Sequence, residues 1–188
     1  MVYDPNIHNR QSTRIRNFDY SQNGLYFVTI MCKNREHLFG KIVKNEMELN
    51  EAGKIANECW LNIPNHFPNT VLHEYVIMPN HVHGIIQIKK NIVDSQSGVD
   101  NNQPVIHSSE NNLSEKLIPT SHQFQRVIPN SLGSIVRGFK IGVTKWFRIN
   151  GKMDDVWQRN YHDFVIFDPA TFSRIEDYIR NNPKNFIK

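Results

Sequence analysis

Two apolar, β-branched segments, about Leu72 to Met78 and His81 to Lys89, are separated only by Pro79-Asn80. Such residues suit a pleated, buried surface, and a Pro-Asn step reads as a tight turn or bulge, so the middle of the chain reads as two strands. A third strand is expected over Tyr26 to Cys32 and a strand pair over Gly40 to Leu49, turning at Lys44-Asn45. Helical spacing begins behind Asn50, an N-cap candidate, with Ala52, Ile55, Cys59, Trp60 and Ile63, and Pro64 and Pro68 close that helix. From Ser131 onward, Leu132, Ile135, Val136, Phe139, Val143, Trp146 and Phe147 mark an amphipathic helix. Phe164 to Phe167 ends a further strand. Asp168 and Pro169 open a last helix as N-cap and first helical residue, running to about Asn181 because Pro183 disfavours helical geometry at Asn182. The order of strands, helix, strands, helix, strand and helix predicts an α+β sheet with helices mainly on one face.

Composition limits what surrounds that sheet. At 188 residues the chain suits one domain, residues 1–188, and 39% hydrophobic residues suffice for a core. Asn91 to Pro129 is rich in Asn, Ser, Gln and Pro without a sustained period, which reads as a flexible polar insertion within that domain. Two cysteines exclude a disulfide scaffold and a Cys-rich zinc site. No apolar run approaches the roughly 18 residues of a membrane span, and Met1 to Asp19 holds no apolar signal core. A reduced, cytoplasmic location without membrane association is the expectation. The net charge of +4 says little, but its distribution says more. Between Ser131 and Lys152 the charged residues are Arg137, Lys140, Lys145, Arg148 and Lys152, with no acid among them. That stretch suits a polyanion, or is a solvated helix face.

Three groups of residues can carry chemistry. His81-Val82-His83 places two imidazoles on one face of a strand, where both can reach one divalent ion. Random placement of nine histidines gives about 0.4 such patterns, so the context matters more than the motif. The flanking apolar segments put the pair on an internal strand, where two polar rings need partners. The adjacent Gly84 permits close approach of another group. On the last helix Tyr178 and Asn182 are four residues apart and share a face. A phenol can serve as a covalent nucleophile and a carboxamide oxygen as a ligand of a hard metal; equally, Tyr178 can pack at the core edge and Asn182 cap the helix. Finally, Trp157-Gln-Arg-Asn-Tyr-His-Asp163 gathers a second tyrosine, a histidine and an acid, either for the same site or as a polar strand entry.

Together these segments resemble the single-tyrosine HUH transposases of small bacterial insertion sequences, especially the REP-associated tyrosine transposases. The matching pieces are Tyr26-Phe-Val-Thr-Ile, Val76-Ile-Met-Pro-Asn-His-Val-His-Gly, Ser131-Leu-Gly-Ser-Ile-Val, Val156-Trp-Gln-Arg-Asn-Tyr-His-Asp and Asp177-Tyr-Ile-Arg-Asn-Asn-Pro, spread over about residues 10 to 187. The resemblance implies a ferredoxin-like antiparallel sheet and an enzyme that cuts and rejoins single-stranded, hairpin-forming DNA through a 5′-phosphotyrosine link. It implies that His81 and His83 hold magnesium or manganese with Asn182 as third ligand, at a position the family fills with Gln or Asn and its insertion-sequence branch usually with Gln. Tyr178 is then the nucleophile and Tyr161 the runner-up. Arg14, Arg16, Arg137, Lys140 and Arg148 would hold the DNA backbone, Gln158 would join them, and Trp157, Tyr161 or His162 would stack on unpaired bases. The resemblance allows a site within one chain or one shared across a homodimer. A nucleic-acid-binding module on the same fold without catalysis is the alternative.

Overall fold

The computed structural model describes residues 15, 18–89 and 128–186. Most of the expected insertion, residues 91–127, lies outside them, as do Arg14 and Arg16. The elements in order are β1 (Gly24–Met31), a short 3-10 turn (Lys33–Arg35), β2 (Gly40–Val43), β3 (Glu46–Leu49), α1 (Glu51–Leu61) and α2 (Ile63–His66). They continue with β4 (Thr70–Met78), β5 (His81–Ile88), α3 (Leu132–Ile149), β6 (His162–Ile166) and α4 (Pro169–Asn181). Four strands form one antiparallel sheet in the order β4-β5-β1-β6, and β2-β3 is a separate hairpin.

With the hairpin and α2 set aside, the chain reads β-α-β-β-α-β, the ferredoxin-like arrangement. Each crossover helix joins two parallel strands that have one strand between them, and the common handedness of such crossovers puts both helices on one face. There Tyr26, Val28 and Ile30 of β1 and Val82, Ile86 and Ile88 of β5 pack in one cluster with Ala56 and Trp60 of α1 and Ile135, Phe139 and Val143 of α3. Helix α4 follows the last strand and covers the opposite face. Its Ile179 joins Ile85 and Ile166 in a separate small cluster, flanked by Leu25, Phe27, Val76, Phe172 and Ile175. Strand β5 is thus covered on both faces, which is why its histidines are buried.

Local chemistry sets the element ends. Asn50, Ser131 and Asp168 each accept a hydrogen bond from the backbone N–H three residues on, capping α1, α3 and α4. Lys44 and Asn45 turn the β2-β3 hairpin with φ of 49° and 66°, as a two-residue loop requires. Strand ends fall within two residues of the expected positions, and the last helix ends at Asn181 as expected, but two local readings differ. Ile63 opens α2 rather than extending α1, because Pro64 suits the first turn of a new helix. Asn182 stays helical (φ −56°, ψ −43°) despite Pro183, since its N–H reaches the Ile179 carbonyl and Asn185 continues the turn. Among the described residues, no helix is long and apolar enough to cross a membrane.

Candidate active site

The face of the sheet under α4 brings four polar side chains together. His81 and His83, 9% and 6% exposed, lie with ring centroids 4.4 Å apart and planes at 72°. Antiparallel register puts Thr29 of β1 opposite His83, and Thr29 Oγ1 is 2.9 Å from His83 Nδ1. Phe27, two residues earlier, stacks on the same ring at 5.3 Å. The turn residue Asn80 sets its Oδ1 2.7 Å from His81 Nδ1. An amide oxygen only accepts, so Nδ1 of His81 carries the hydrogen and Nε2 keeps its lone pair. That Nε2 is buried and makes no hydrogen bond, a condition buried polar atoms rarely show without a role.

Burial holds the imidazoles neutral. It lowers the pKa of His81 to about 4, opposed by the nearby Asn182 side chain. Burial, and next the neighbouring His81, lower that of His83 to about 3, opposed by the Val28 carbonyl. Neutral imidazole is the form that ligates metals.

Helix α4 carries the other two groups. Its apolar stripe, Phe172, Ile175 and Ile179, docks on the sheet, and Arg180 pairs with Glu74 of edge strand β4 at 3.0 Å. This docking turns Tyr178 toward β1. Its phenol oxygen is 3.3 Å from His83 Nε2, and its ring meets Phe27 edge-on at 6.1 Å. The ring is 50% exposed, so the oxygen faces both the imidazole and solvent. One turn later, Asn182 is 8% exposed beside His81. Among the described residues no three His, Cys, Asp or Glu side chains converge. The available donor set is therefore two imidazoles and a carboxamide, which suits a cation that completes its shell with other oxygen ligands. The partnerless Nε2 of His81 is the observation that fits such an ion.

The remaining candidates lie elsewhere. Arg137, Lys140, Thr144, Lys145 and Arg148 line a groove of about 560 Å³ on the outer side of α3, with Asn160 and Tyr161. Tyr161 therefore lies on the α3 side of the sheet, and the structure does not bring it to the histidines. Lys140 Nζ donates to the carbonyls of Gln158 (3.0 Å) and Asn160 (2.5 Å), and burial lowers its pKa to about 8. Arg148 pairs with Asp154 at 2.9 Å. Trp157, expected to stack on bases, is instead 8% exposed and packs on Phe39 and Phe139. Its backbone bridges Cys32 and its indole N–H donates to the Lys140 carbonyl, so neither ring face is offered to a ligand. Gln158 is exposed, but its carbonyl is used to hold Lys140. Thr29, Phe27 and Asn80 were not singled out from sequence. Asn80 adjoins the His pair and could have been, whereas Thr29 and Phe27 depend on strand register.

No protein-family model matches the chain. An uncharacterized protein of Haemophilus influenzae strain Rd is 42% identical over 181 residues, covering 96% of this chain and 92% of that protein. The chain belongs to that protein's family. Among solved structures, a REP-associated tyrosine transposase bound to a REP hairpin matches with a TM-score of 0.57 at 14% identity, over 93% of this chain and 74% of that one. The two share a fold, and it is the fold of the transposases that the five sequence segments resemble.

Proposed function

We propose that the chain is a metal-dependent single-stranded DNA endonuclease and strand transferase of the tyrosine transposase type. The observation that carries this reading is the convergence of the Tyr178 phenol oxygen, 3.3 Å from His83 Nε2, with the buried, partnerless Nε2 of His81. His81, His83 and Asn182 would hold magnesium or manganese, which when bound supplies positive charge to a non-bridging oxygen of the scissile phosphate. Thr29 and Asn80 engage the Nδ1 atoms of His83 and His81, which fixes the ring orientations and leaves the Nε2 atoms as the ligating nitrogens. Phe27 limits how far the His83 and Tyr178 rings can turn.

The Tyr178 oxygen attacks phosphorus as its O–H bond breaks, the bond from phosphorus to the 3′ oxygen breaks, and that oxygen takes up one proton, in net the one the phenol gives up, to leave as a 3′-hydroxyl. The new 5′-phosphotyrosine ester keeps the bond energy, so a second 3′-hydroxyl can displace the tyrosine and rejoin the strand without a nucleotide cofactor. Titratable and nucleophilic groups belong together in this way at reaction centres. The likeness to a transposase solved on a REP hairpin supports a hairpin-bearing strand as substrate.

The test is a covalent adduct. Wild-type protein, incubated with hairpin-bearing single-stranded DNA and manganese, is expected to give a shifted band on a denaturing gel. Tyr178→Phe and His81→Ala should abolish the band, and Tyr161→Phe should keep it. Cleavage without an adduct, or an adduct lost only in Tyr161→Phe, would refute the scheme.

A further inference from the structure

The face that carries the histidines is only half roofed. Helix α4 runs over the β4 side of the sheet, where Arg180 meets Glu74 and Phe172 touches His73. The end of β6 that carries His162 and Phe164 is left more open. Register places both: His162 lies opposite Thr29, and Phe164 opposite Phe27. Directly opposed residues of an antiparallel pair share a face, so His162 and Phe164 extend the row formed by Thr29 and Phe27 beside the candidate centre. Phe164 is 52% exposed, whereas Val165 and Ile166 after it are buried. Phe164 is thus an exposed aromatic ring on an edge strand beside the candidate centre. Helix α4 carries a cation on its Tyr178 side. Arg174 stands four residues before Tyr178 and so on the same side of α4. Its guanidinium is exposed, donates to Thr171 Oγ1 at 2.8 Å, and lies close enough to Asp168 to help lower that carboxyl's pKa.

An exposed apolar ring on β6, with a phenol and a guanidinium on one side of α4, matches the parts of one nucleotide. The base offers a π-face, the phosphate offers two anionic oxygens, and bidentate Arg–phosphate pairing suits that end. Duplex bases are already stacked, so such a seat selects unpaired ones. We propose that Phe164 and Arg174 seat the unpaired nucleotide adjoining the scissile phosphate, Phe164 stacking on its base and Arg174 holding its phosphate. This inference rests on the reading of Tyr178 as nucleophile and names the positioning residues of that same site.

The test measures binding apart from reaction. With EDTA present, affinity for a 30-nucleotide random-sequence single strand is compared with that for the corresponding duplex. Phe164→Ala should weaken single-strand binding about 5- to 150-fold, the range of base–aromatic stacking, and leave duplex binding unchanged. Phe164→Trp should restore it and Phe164→Leu should not. Arg174→Gln should reduce the slope of log affinity against log salt by about 0.7. A strand substituted with 5-iododeoxyuridine should photocrosslink to the peptide holding Phe164. Unchanged single-strand affinity in a folded Phe164→Ala, equal losses on single strand and duplex, or rescue by Leu would each overturn the seat. If these binding effects appear but no adduct forms with manganese, the tyrosine chemistry fails and the seat stands; an adduct without them has the reverse meaning. Absence of single-strand binding by wild type overturns both.

Discussion

Gly84 offers a sharp test of how the site is held from behind. It lies between the histidines and Ile85 on β5, with its missing side chain on the side of α1. A Cβ placed there would lie 2.2 Å from Trp60 Cζ2, 2.8 Å from Trp60 Cη2 and 3.0 Å from Tyr75 Cβ. Carbon contacts are normally about 3.5–4.0 Å, so Gly84→Ala demands a shift of more than about 1 Å. Trp60 cannot easily supply it. The indole is fully buried, stacked on Tyr75 at 5.8 Å and edge-on to Phe139 at 5.4 Å. Overpacking of this kind costs about 1–3 kcal/mol. For a chain of this length that lowers Tm by about 2–12 °C. Because β5 must move, the imidazoles on its other face move too, and adduct formation should fall further than stability alone explains. A double-mutant cycle isolates the cause. In a Trp60→Leu background the cost of Gly84→Ala should shrink by at least about 1 kcal/mol, measured by thermal unfolding. Equal costs in the two backgrounds would refute the argument that the indole occupies the glycine's space.

Acidity and charge give two further predictions. In metal-free protein with a chelator, stability should fall as pH drops below the ordinary imidazole value of about 6.5, because the unfolded chain then binds protons that native His81 and His83, at about 4 and 3, refuse. Urea unfolding between pH 4 and 7.5 reads this, and an equally steep curve in His81→Asn/His83→Asn would contradict it. On α3, Arg137→Gln should reduce the salt slope of DNA binding by about 0.7–0.9, while Lys140→Gln should chiefly cost about 1–3 kcal/mol of stability by freeing the Gln158 and Asn160 carbonyls. A Lys140→Gln variant with unchanged Tm and a reduced slope would show that Lys140 grips DNA rather than its own loop.

Features governed by local spacing were legible before any coordinates. The caps at Asn50 and Asp168, the Lys44-Asn45 turn, the shared face of His81 and His83 and the four-residue step from Tyr178 to Asn182 all follow from period and propensity. What escaped depends on contacts between distant segments. Thr29 and His83 are 54 residues apart, and only the β1-β5 register makes them neighbours. The resemblance makes Trp157 a base-stacking residue, yet its backbone bridge to Cys32 sets the indole inward. Lys140 fell on the polar stripe of α3, and periodicity carries no information about the loop carbonyls waiting there.

Helix α4 rests on a patch of its own, Ile85, Ile166 and Ile179, rather than on the larger cluster that α1 and α3 share with the far side of the sheet. Detaching it would expose that small patch and break the Arg180–Glu74 pair while leaving the main core intact. Openings of this kind occur at a fraction of the global unfolding free energy. On the proposed reading, a strand end esterified to Tyr178 would be carried by the element that detaches at the lower cost, while the histidines remain anchored in the sheet.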